Sequence, residues 1–513
     1  MDIGVSTAMI VSSFFISLCL LIAARFIYKV IWVPFVVGYA MRSQGIKGPS
    51  YKFIYRNTKE VIQMRMQSIS SAMEISHDIL PRVQPHYFSW IKLYGANFLH
   101  WVGPKPQMVV TDPELIREIL GNKEGSFGKI KLEGDPKRMF GDGLAMTETA
   151  DKWSKLRKLA TQAFHAENMV ASVEEMLERW KHEQEKGKEI EVTEDFMLLT
   201  CEVISKTAFG SSYLEGKNIF EMLMRLSANI IRDITRPRFF GIEKLLRLNE
   251  DMESNRIERS LYESITELIR KREAMMAESG KVESLGSDFL GSLLKLHHHV
   301  DKENRISVQD IIDECKTFHF AGHETTNSLL AWVIVVLAIH TDWQEKARKE
   351  VFEMCGQENP KPDAVQRLKT MSMIIQETNR LYAPVLTLLR RTKRKTKIGK
   401  LTIPAGVEID IPVLAVHHNP EIWGEDAHLF NPDRFAEGVA NATKNNTMAY
   451  FTFGTGPRKC VGLNFTILEV KIALTMILQR YTFILSPNYV HSPLMVLTLR
   501  PQHGVKILLR PLE

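Results

Sequence analysis

The feature that most restricts the fold is a ten-residue segment in which three glycines surround a single cysteine. It spans residues 453–462, reads FGTGPRKCVG, and contains Cys460. Glycine permits positive φ angles and close backbone approach, so main-chain N–H groups in such a loop can point at a sulfur atom. Arg458 and a helix predicted to begin at Leu463 also favour the thiolate form. The segment therefore predicts a shielded, anionic sulfur ligand, with a buried structural cysteine in a tight turn as the alternative.

The overall cysteine content narrows the chemistry of that ligand. The chain contains five cysteines, an odd number, and no two of them form a Cys-x-x-Cys pair. This usage excludes a disulfide scaffold, argues against a zinc site and fits a reducing compartment. A single soft, anionic and shielded ligand is what a haem iron requires for oxygen activation. Haem iron is therefore a candidate partner of Cys460, beside the structural alternative.

The N-terminus carries an apolar stretch long enough to cross a membrane. Residues 3–24 contain no charged side chain, and these 22 positions would form a helix of about 33 Å, against a bilayer core of about 30 Å. Arg25 and Lys29 follow and only Asp2 precedes, so the positive-inside rule keeps the body of the protein in the cytosol. A cleaved signal peptide is the alternative, but it needs a basic start and a small-residue cleavage site. The acidic start favours an uncleaved anchor.

The remaining sequence is typical of one large, mostly helical domain with a few strands. Hydrophobic residues make up 45% and charged residues 25% of the 513 positions, and the net charge is only +6. Because no basic stripe accompanies that charge, the composition argues against nucleic-acid binding. A capping box at Ser307 and Asp310 predicts a helix that continues to about Ile339 without a proline. Residues 401–411 predict a β-hairpin.

Residues 453–462 resemble the haem-binding loop of the cytochrome P450 family, with Cys460 as the axial thiolate ligand. Other motifs of that family follow in its chain order. They are the Trp-x-x-x-Arg segment with Trp153 and Arg157, the oxygen-activation motif at 321–326, the Glu-x-x-Arg pair Glu377 and Arg380, a propionate-ligand position at Arg390, and the segment 432–435 with Arg434. The resemblance covers about residues 45–513 and implies a mainly α fold with a smaller β portion, preceded by one transmembrane helix. We accordingly divide the chain into an anchor (1–30), a linker (31–50) and a catalytic domain (51–513).

The resemblance also implies roles for individual residues. It implies haem b as the cofactor, with Cys460 as the iron ligand and with the cofactor-binding residues Trp153, Arg157, Arg390, Phe453 and Arg458. It further implies a structural triad of Glu377, Arg380 and Arg434 that fixes the loop carrying the cysteine. The i, i+3 spacing of Glu377 and Arg380 permits their pairing on one helix face, and a surface ion pair worth under about 1 kcal/mol is the alternative.

Glu324 and Thr325 place an acid and a hydroxyl in the middle of an otherwise apolar helix. Both belong to the segment that resembles the oxygen-activation motif, which implies that they are catalytic and deliver protons to bound dioxygen. The alternative is structural, because a threonine can bond back to a main-chain carbonyl and bend its helix. The two interpretations are compatible, since a bent helix makes room for oxygen.

Together these features predict a haem-thiolate monooxygenase that inserts one oxygen atom of O₂ into an apolar small molecule. The chain has no dinucleotide fingerprint, so electrons are expected from NADPH through a cytochrome P450 reductase. A basic docking face for this partner is expected from Lys152, Lys155, Lys158 and Lys459. A peroxide isomerase or dehydratase of the same fold and a non-catalytic haem-binding membrane protein are the alternatives. The intact oxygen-activation motif disfavours the isomerase or dehydratase.

Segments outside the haem motifs resemble one plant clan of the family, which includes secologanin synthase and the hydroxylases that inactivate brassinosteroids. These segments are residues 44–51, 163–165 and 498–504. The resemblance implies terpenoid, steroid or hormone-like substrates and a single-pass protein of the endoplasmic reticulum membrane that contacts lipid and no nucleic acid. Substrate contacts are expected from residues 125–145, 318–325, 385–389 and 494–497.

Overall fold

The computed structural model describes residues 2–52, 57–71, 73–103, 105–122, 124–163, 169–235 and 248–512. Within these residues the protein is mainly helical, with small sheets, as the sequence predicts. The longer helices are Asp2–Ile27, Val33–Arg42, Thr58–Ile69, Pro85–Tyr94, Pro113–Gly121, Ala150–Ala163, Met169–Glu185, Val192–Phe209, Tyr213–Thr235, Leu248–Ser279, Phe289–His297, Val308–Ile339, Thr341–Cys355, Lys369–Leu381 and Leu463–Arg480. Shorter helices are Leu80–Val83, Asp135–Phe140, Pro362–Gln366, Val413–His417, Pro420–Trp423 and Gly438–Ala442. Phe164 and His165, part of one segment that resembles the plant clan, lie outside the described residues.

The largest sheet has five strands and carries one of the predicted cofactor ligands. Its strand order is Asn97–Val102, Lys105–Val110, Glu408–Pro412, Thr387–Thr392 and Phe127–Gly128. The second and third of these strands run parallel, and the other neighbours are antiparallel. Met108, Ile409 and Ile411 belong to the separate apolar core of this sheet. Arg390 lies in register with Ile409, so the sheet holds its backbone in place.

Three smaller sheets complete the described β structure, and one of them corrects a prediction. They are Ile190–Glu191 with Lys506–Pro511 and Tyr481–Leu485, Pro493–Met495 with Leu499–Pro501, and Thr396–Ile398 with Leu401–Ile403. The predicted hairpin over residues 401–411 is therefore wrong, because Leu401 pairs with the preceding Ile398. Gly399, with a φ of 49°, forms the tight turn between them. Glu408–Pro412 instead joins the largest sheet.

The helix Val308–Ile339, called the central helix below, runs through the core of the protein. Both bonds of the predicted capping box between Ser307 and Asp310 are present, and the helix ends where the sequence predicts. It is long and apolar enough to cross a membrane but is mostly buried, as a core helix is. A Cβ at Gly322 would lie 2.6 Å from Cγ1 of Ile204, so the glycine permits the close approach of Val192–Phe209.

Helical structure continues beyond the predicted anchor. Asp2–Ile27 leads through a π-helical turn, Tyr28–Trp32, into Val33–Arg42. The stretch Val11–Arg42 is a candidate membrane span that is almost entirely exposed. At its C-terminal end Val37 and Met41 are buried in the core of the largest sheet. Part of the segment predicted as a linker is thus an ordered helix that packs against the catalytic domain.

Candidate active site

A cavity of about 410 Å³ brings together the central helix, the cysteine loop (residues 453–462) and the largest sheet. The predicted site residues that line it are Trp153, Arg157, Thr325, Arg390, Phe453, Arg458 and Cys460. Apolar walls come from Leu144, Ile204, Phe318, Leu329, Val385 and Leu388. Three of the four expected substrate-contact regions therefore contribute to the cavity. The fourth, residues 494–497, does not line it.

The glycines of the cysteine loop, which presents Cys460 to this cavity, differ in backbone conformation. Gly454 and Gly456 have φ angles of 67° and 70°, whereas Gly462 is the N-cap of Leu463–Arg480 with a φ of −85°. A Cβ at Gly456 would lie 2.3 Å from the carbonyl oxygen of Leu120, so the loop packs directly on the helix Pro113–Gly121. The N–H of Cys460 donates to the carbonyl oxygen of Phe453 at 2.8 Å. This bond closes the loop.

The surroundings of the Cys460 sulfur atom have opposing effects on the pKa of its thiol. Cys460 is exposed to the cavity space, but the surrounding protein still desolvates its thiol and raises its pKa, while the N–H of Gly462 and the charge of Arg157 lower that pKa by stabilising the thiolate. Sequence spacing predicts this cationic effect for Arg458, but the main cationic contribution comes from Arg157. The Arg157 guanidinium donates to the carbonyl of Lys459 at 2.7 Å, directly beside the cysteine. Arg458 is directed away and donates to the carbonyl of Thr147 at 2.8 Å.

One wall of the cavity is cationic. Lys129, Arg157, Arg390 and Arg458 line it, beside Lys459, whose side chain is exposed, and none of these residues forms an ion pair within the described part of the chain. Burial, followed by repulsion from the neighbouring guanidiniums, lowers the pKa of Lys129 to about 7 and that of Arg390 to about 10. The ring of Trp153 contacts two of these groups, with its centroid 5.4 Å from Arg157 Cζ and 4.7 Å from Arg458 Cζ. Such a wall suits a ligand that carries two carboxylates.

Lys129 is a site residue that the sequence analysis does not single out. It lies in a region expected to contact substrate, but no motif surrounds it. Its side chain reaches the cavity because the nearby strand Phe127–Gly128 pairs with Thr387–Thr392, the strand that carries Arg390. Only this pairing, which joins segments far apart in the chain, brings the two cations together.

The structure brings the three residues of the predicted triad together. Arg380 binds Glu377 in a bidentate manner, with Nε–Oε2 and Nη2–Oε1 distances of 2.8 and 2.7 Å, and both side chains are fully buried. Arg434 Nε lies 3.3 Å from Glu377 Oε1. Arg380 also donates to the carbonyls of His417 and Ala427 at 2.8 and 2.6 Å. The ion pair is therefore a buried crosslink between helix and following chain, and the alternative of a surface pair is excluded.

Glu324 and Thr325 point in different directions. The Thr325 hydroxyl lines the cavity and donates to the carbonyl of Ala321 at 2.9 Å. Glu324 does not line the cavity; its buried carboxylate accepts hydrogen bonds from the Thr498 hydroxyl and from Arg500, whose Nε lies 2.5 Å from Oε1. Consecutive side chains on an α-helix diverge by about 100° because the helix has 3.6 residues per turn. Thr325 therefore lies at the cavity and Glu324 does not, and proton delivery by the two residues stays a prediction.

The predicted basic face is smaller than the sequence indicates. Lys152 forms ion pairs with Asp142 and Asp310, at 3.1 and 2.6 Å, and its side chain is only 16% exposed. Lys155 donates to a main-chain carbonyl at 3.2 Å. Lys158 and Lys459 are exposed and form no ion pair among the described residues. Of the four predicted lysines, these two remain as free surface charges among the described residues.

Comparison with known proteins agrees with this geometry. The family model described as cytochrome P450 matches residues 80–508. Cytochrome P450 CYP749A22 of Panax ginseng is 51% identical over 507 residues, which cover 97% of this chain and 96% of that protein. A 7-deoxyloganic acid hydroxylase of Catharanthus roseus is 37% identical over 514 residues, covering 97% and 98%. The crystal structure of the cytochrome P450DA heme domain superposes with a TM-score of 0.70 at 25% identity, covering 81% of this chain and 90% of that one.

The chain therefore belongs to the cytochrome P450 family. It is a plant-type haem-thiolate monooxygenase that acts on apolar substrates with O₂ and electrons from a redox partner. The cavity fits that cofactor, because one thiol and five cationic residues without acidic partners among the described residues match an iron and two carboxylates. The predicted fold class, reaction class and cofactor are confirmed.

Proposed function

We propose that Cys460 provides the axial thiolate and that the cationic wall holds the two haem carboxylates. Arg157, Arg390 and Arg458 are the predicted members of that wall, and Lys129 joins them. Trp153 and Phe453 supply aromatic surface at the same cavity. The observation that supports these roles is the convergence of the thiol, the cations and Thr325 on one cavity. The buried Glu377 triad acts at a distance by fixing the chain that follows.

Bound haem supplies the activation of O₂ and the transfer of one oxygen atom to the substrate. The protein's own residues control water and protons. Ile204, Phe318 and Leu329 make the substrate side apolar, which excludes bulk water from the reacting atoms. The Thr325 hydroxyl donates to Ala321, so its lone pairs remain free to accept a hydrogen bond from a cavity water. A water held there would be able to donate a proton within the cavity.

Glu324 is proposed to replenish this proton from the far side of the central helix. Its partner Arg500 is 27% exposed, which connects the buried carboxylate to solvent. Because Arg500 and Thr498 occupy the carboxylate, Glu324 takes up and passes on a proton only after these bonds open. Thr325 is thus the residue in direct contact with the site. Glu324 is proposed to contribute only when its bonds to Arg500 and Thr498 are open.

The electron donor is proposed to be a membrane-bound, NADPH-dependent cytochrome P450 reductase that docks near Lys158 and Lys459. Residues 1–30 are proposed to anchor the protein in the endoplasmic reticulum membrane and its lipid, with the catalytic domain of residues 51–513 in the cytosol. The substrate is proposed to be a terpenoid, a steroid or a hormone-like molecule. Apolar cavity walls and a relative named for hydroxylation of 7-deoxyloganic acid support this class. Neither observation favours the isomerase or the non-catalytic alternative.

The test uses adjacent threonines as a matched pair. Thr325 and Thr326 both donate to a carbonyl one turn back, at 2.9 and 3.0 Å, but only Thr325 lines the cavity. Thr325→Ala should lower the product formed per NADPH consumed by about a hundredfold, the low end of what a general acid or base contributes, with the lost flux released as hydrogen peroxide. Thr325→Ser should restore the ratio, and Thr326→Ala should leave it unchanged. Equal ratios in Thr325→Ala and wild type would reduce Thr325 to a helix-bending residue.

A further inference from the structure

A second concavity opens beside the active-site cavity. It has a volume of about 1130 Å³ and is called the basic groove below. Its cationic lining residues are Lys129, Lys131, Lys137, Lys316, Arg391 and Lys393. Segment 129–132, the chain around residues 141–149, the first turns of the central helix and the strand with Arg391 form its walls.

A single layer of chain separates the basic groove from the active-site cavity. Leu144 lines the cavity and Met146, two residues later, lines the groove. Arg390 lines the cavity and the next residue, Arg391, lines the groove. Lys129 lines both spaces. The groove and the active-site cavity are therefore adjacent, and Lys129 lies at the boundary between them.

The acidic residues of the groove are already paired. Asp313 lies 2.8 Å from Lys316, and Glu148 lies 3.2 Å from Lys393. The remaining two carboxylates are also bound by cations, with Asp142 at 3.1 Å from Lys152 and Glu258 at 3.5 Å from Arg138. No carboxylate that lines the groove is left to neutralise a further cation.

Besides Lys129, three cations of the groove remain without such a partner. Lys131, Lys137 and Arg391 form no ion pair among the described residues. Haem does not account for them, because they line the groove and not the cavity in which the haem carboxylates are proposed to bind. All three side chains are exposed, so they are accessible to a ligand in the groove. These three positive charges are therefore available to bind an anion in the groove.

The groove also has an apolar component. Ile130, Leu132 and Met146 are half-buried and lie among its cations. Apolar surface beside unpaired positive charge matches a molecule with a hydrocarbon skeleton and one carboxylate. We infer that the basic groove recognises such a carboxylate-bearing apolar substrate and admits it to the active site past Lys129. This inference deepens the proposed function and rests on it.

The test compares acids with their neutral esters in the full-length haem protein. The probes are abietic acid and ursolic acid, a diterpenoid and a triterpenoid, each with its methyl ester. The variant is Lys131→Glu with Lys137→Glu, two exposed positions outside the proposed haem contacts. The control is Lys271→Glu with Lys281→Glu, two exposed lysines that do not line the groove. Dissociation constants are measured by equilibrium dialysis, and haem content is measured alongside.

In wild type we expect at least one acid to bind more tightly than its ester, with an affinity that falls as salt rises. The groove variant should weaken binding of that acid about tenfold and that of the ester less than twofold, since only the acid carries the charge. The control variant should change neither. Wild type that binds each ester as tightly as its acid, or a groove variant that binds the acid normally, would overturn the inference.

Two further results distinguish substrate recognition by the groove from reductase docking and from failure of the proposed function. Unchanged binding with slower reductase-supported turnover of acid and ester alike would assign the groove to the reductase and overturn the inference. Failure of the proposed function would look different. The wild-type protein would lack the thiolate-type spectrum, or it would oxidise none of the probes with O₂. Oxidation of the esters with no preference for acids would leave the proposed function standing and remove the groove's role.

Discussion

Arg500 binds both carboxylate oxygens of Glu324 across 176 positions of sequence. Glu324 is 1% exposed, so loss of the partner would leave an uncompensated buried charge. Arg500→Gln should therefore lower the free energy of unfolding by about 3 kcal/mol. Adding Glu324→Gln to that variant should recover most of the loss, because no buried charge then remains.

Denaturant unfolding of the four proteins in this cycle measures the coupling between the two residues. The exposed pair Lys349 and Glu353, 3.9 Å apart, provides the control, because Lys349→Gln should cost under about 1 kcal/mol. If the double variant Arg500→Gln with Glu324→Gln is as unstable as Arg500→Gln alone, the loss of the ion pair does not explain the destabilisation.

Replacing the proposed iron ligand should change the haem spectrum more than the fold. Cys460→Ser should abolish the thiolate-type carbon monoxide spectrum of the reduced protein, because the hydroxyl cannot take the place of the thiolate. Cys355→Ser is the control, since Cys355 is half-buried and does not line the cavity. A normal spectrum in Cys460→Ser would refute the ligand assignment.

Truncation should distinguish the membrane-spanning part of the anchor from the part that packs on the domain. Deleting residues 2–27 should release much of the protein from membranes and keep its haem, because this helix lies outside the described cores. Deleting residues 2–42 should also lower stability, since the burial of Val37 and Met41 is lost, at about 2 kcal/mol for each side chain. Membrane pelleting and haem content measure the two effects. Complete loss of folded haem protein in the shorter deletion would place the anchor in the core.

Charge reversal near the cysteine loop should act on electron delivery. Lys158→Glu with Lys459→Glu should slow NADPH- and reductase-supported turnover several-fold and flatten its salt dependence. Peroxide-supported turnover should change little, because it bypasses the reductase. Lys152→Gln is a contrasting variant, since Lys152 is bound to Asp142 and Asp310 and should affect stability instead. Equal losses in both turnover assays would assign Lys158 and Lys459 to folding or haem binding.

The features that can be predicted from the sequence are encoded in short stretches of chain. The cysteine loop, the capping box at Ser307, the apolar anchor and the pairing of Glu377 with Arg380 each depend on residues within a few turns of one another. Their geometry follows from backbone conformation and local periodicity, which are set by neighbouring residues. Membership of the family and the reaction class follow from several such segments in fixed order.

Contacts between groups that are distant in sequence are visible only in the folded protein. The partner of Glu324, the direction of Arg458, the contribution of Lys129 to the cavity and the pairing of Leu401 with Ile398 were not evident in the sequence. Helical periodicity shows that Glu324 and Thr325 diverge, but it does not show that a strand carrying Arg500 lies against Glu324. Such contacts depend on how whole helices and sheets pack, and packing is set by the combined burial of many side chains. The charge environment of a site depends on that packing, and motif spacing does not encode it.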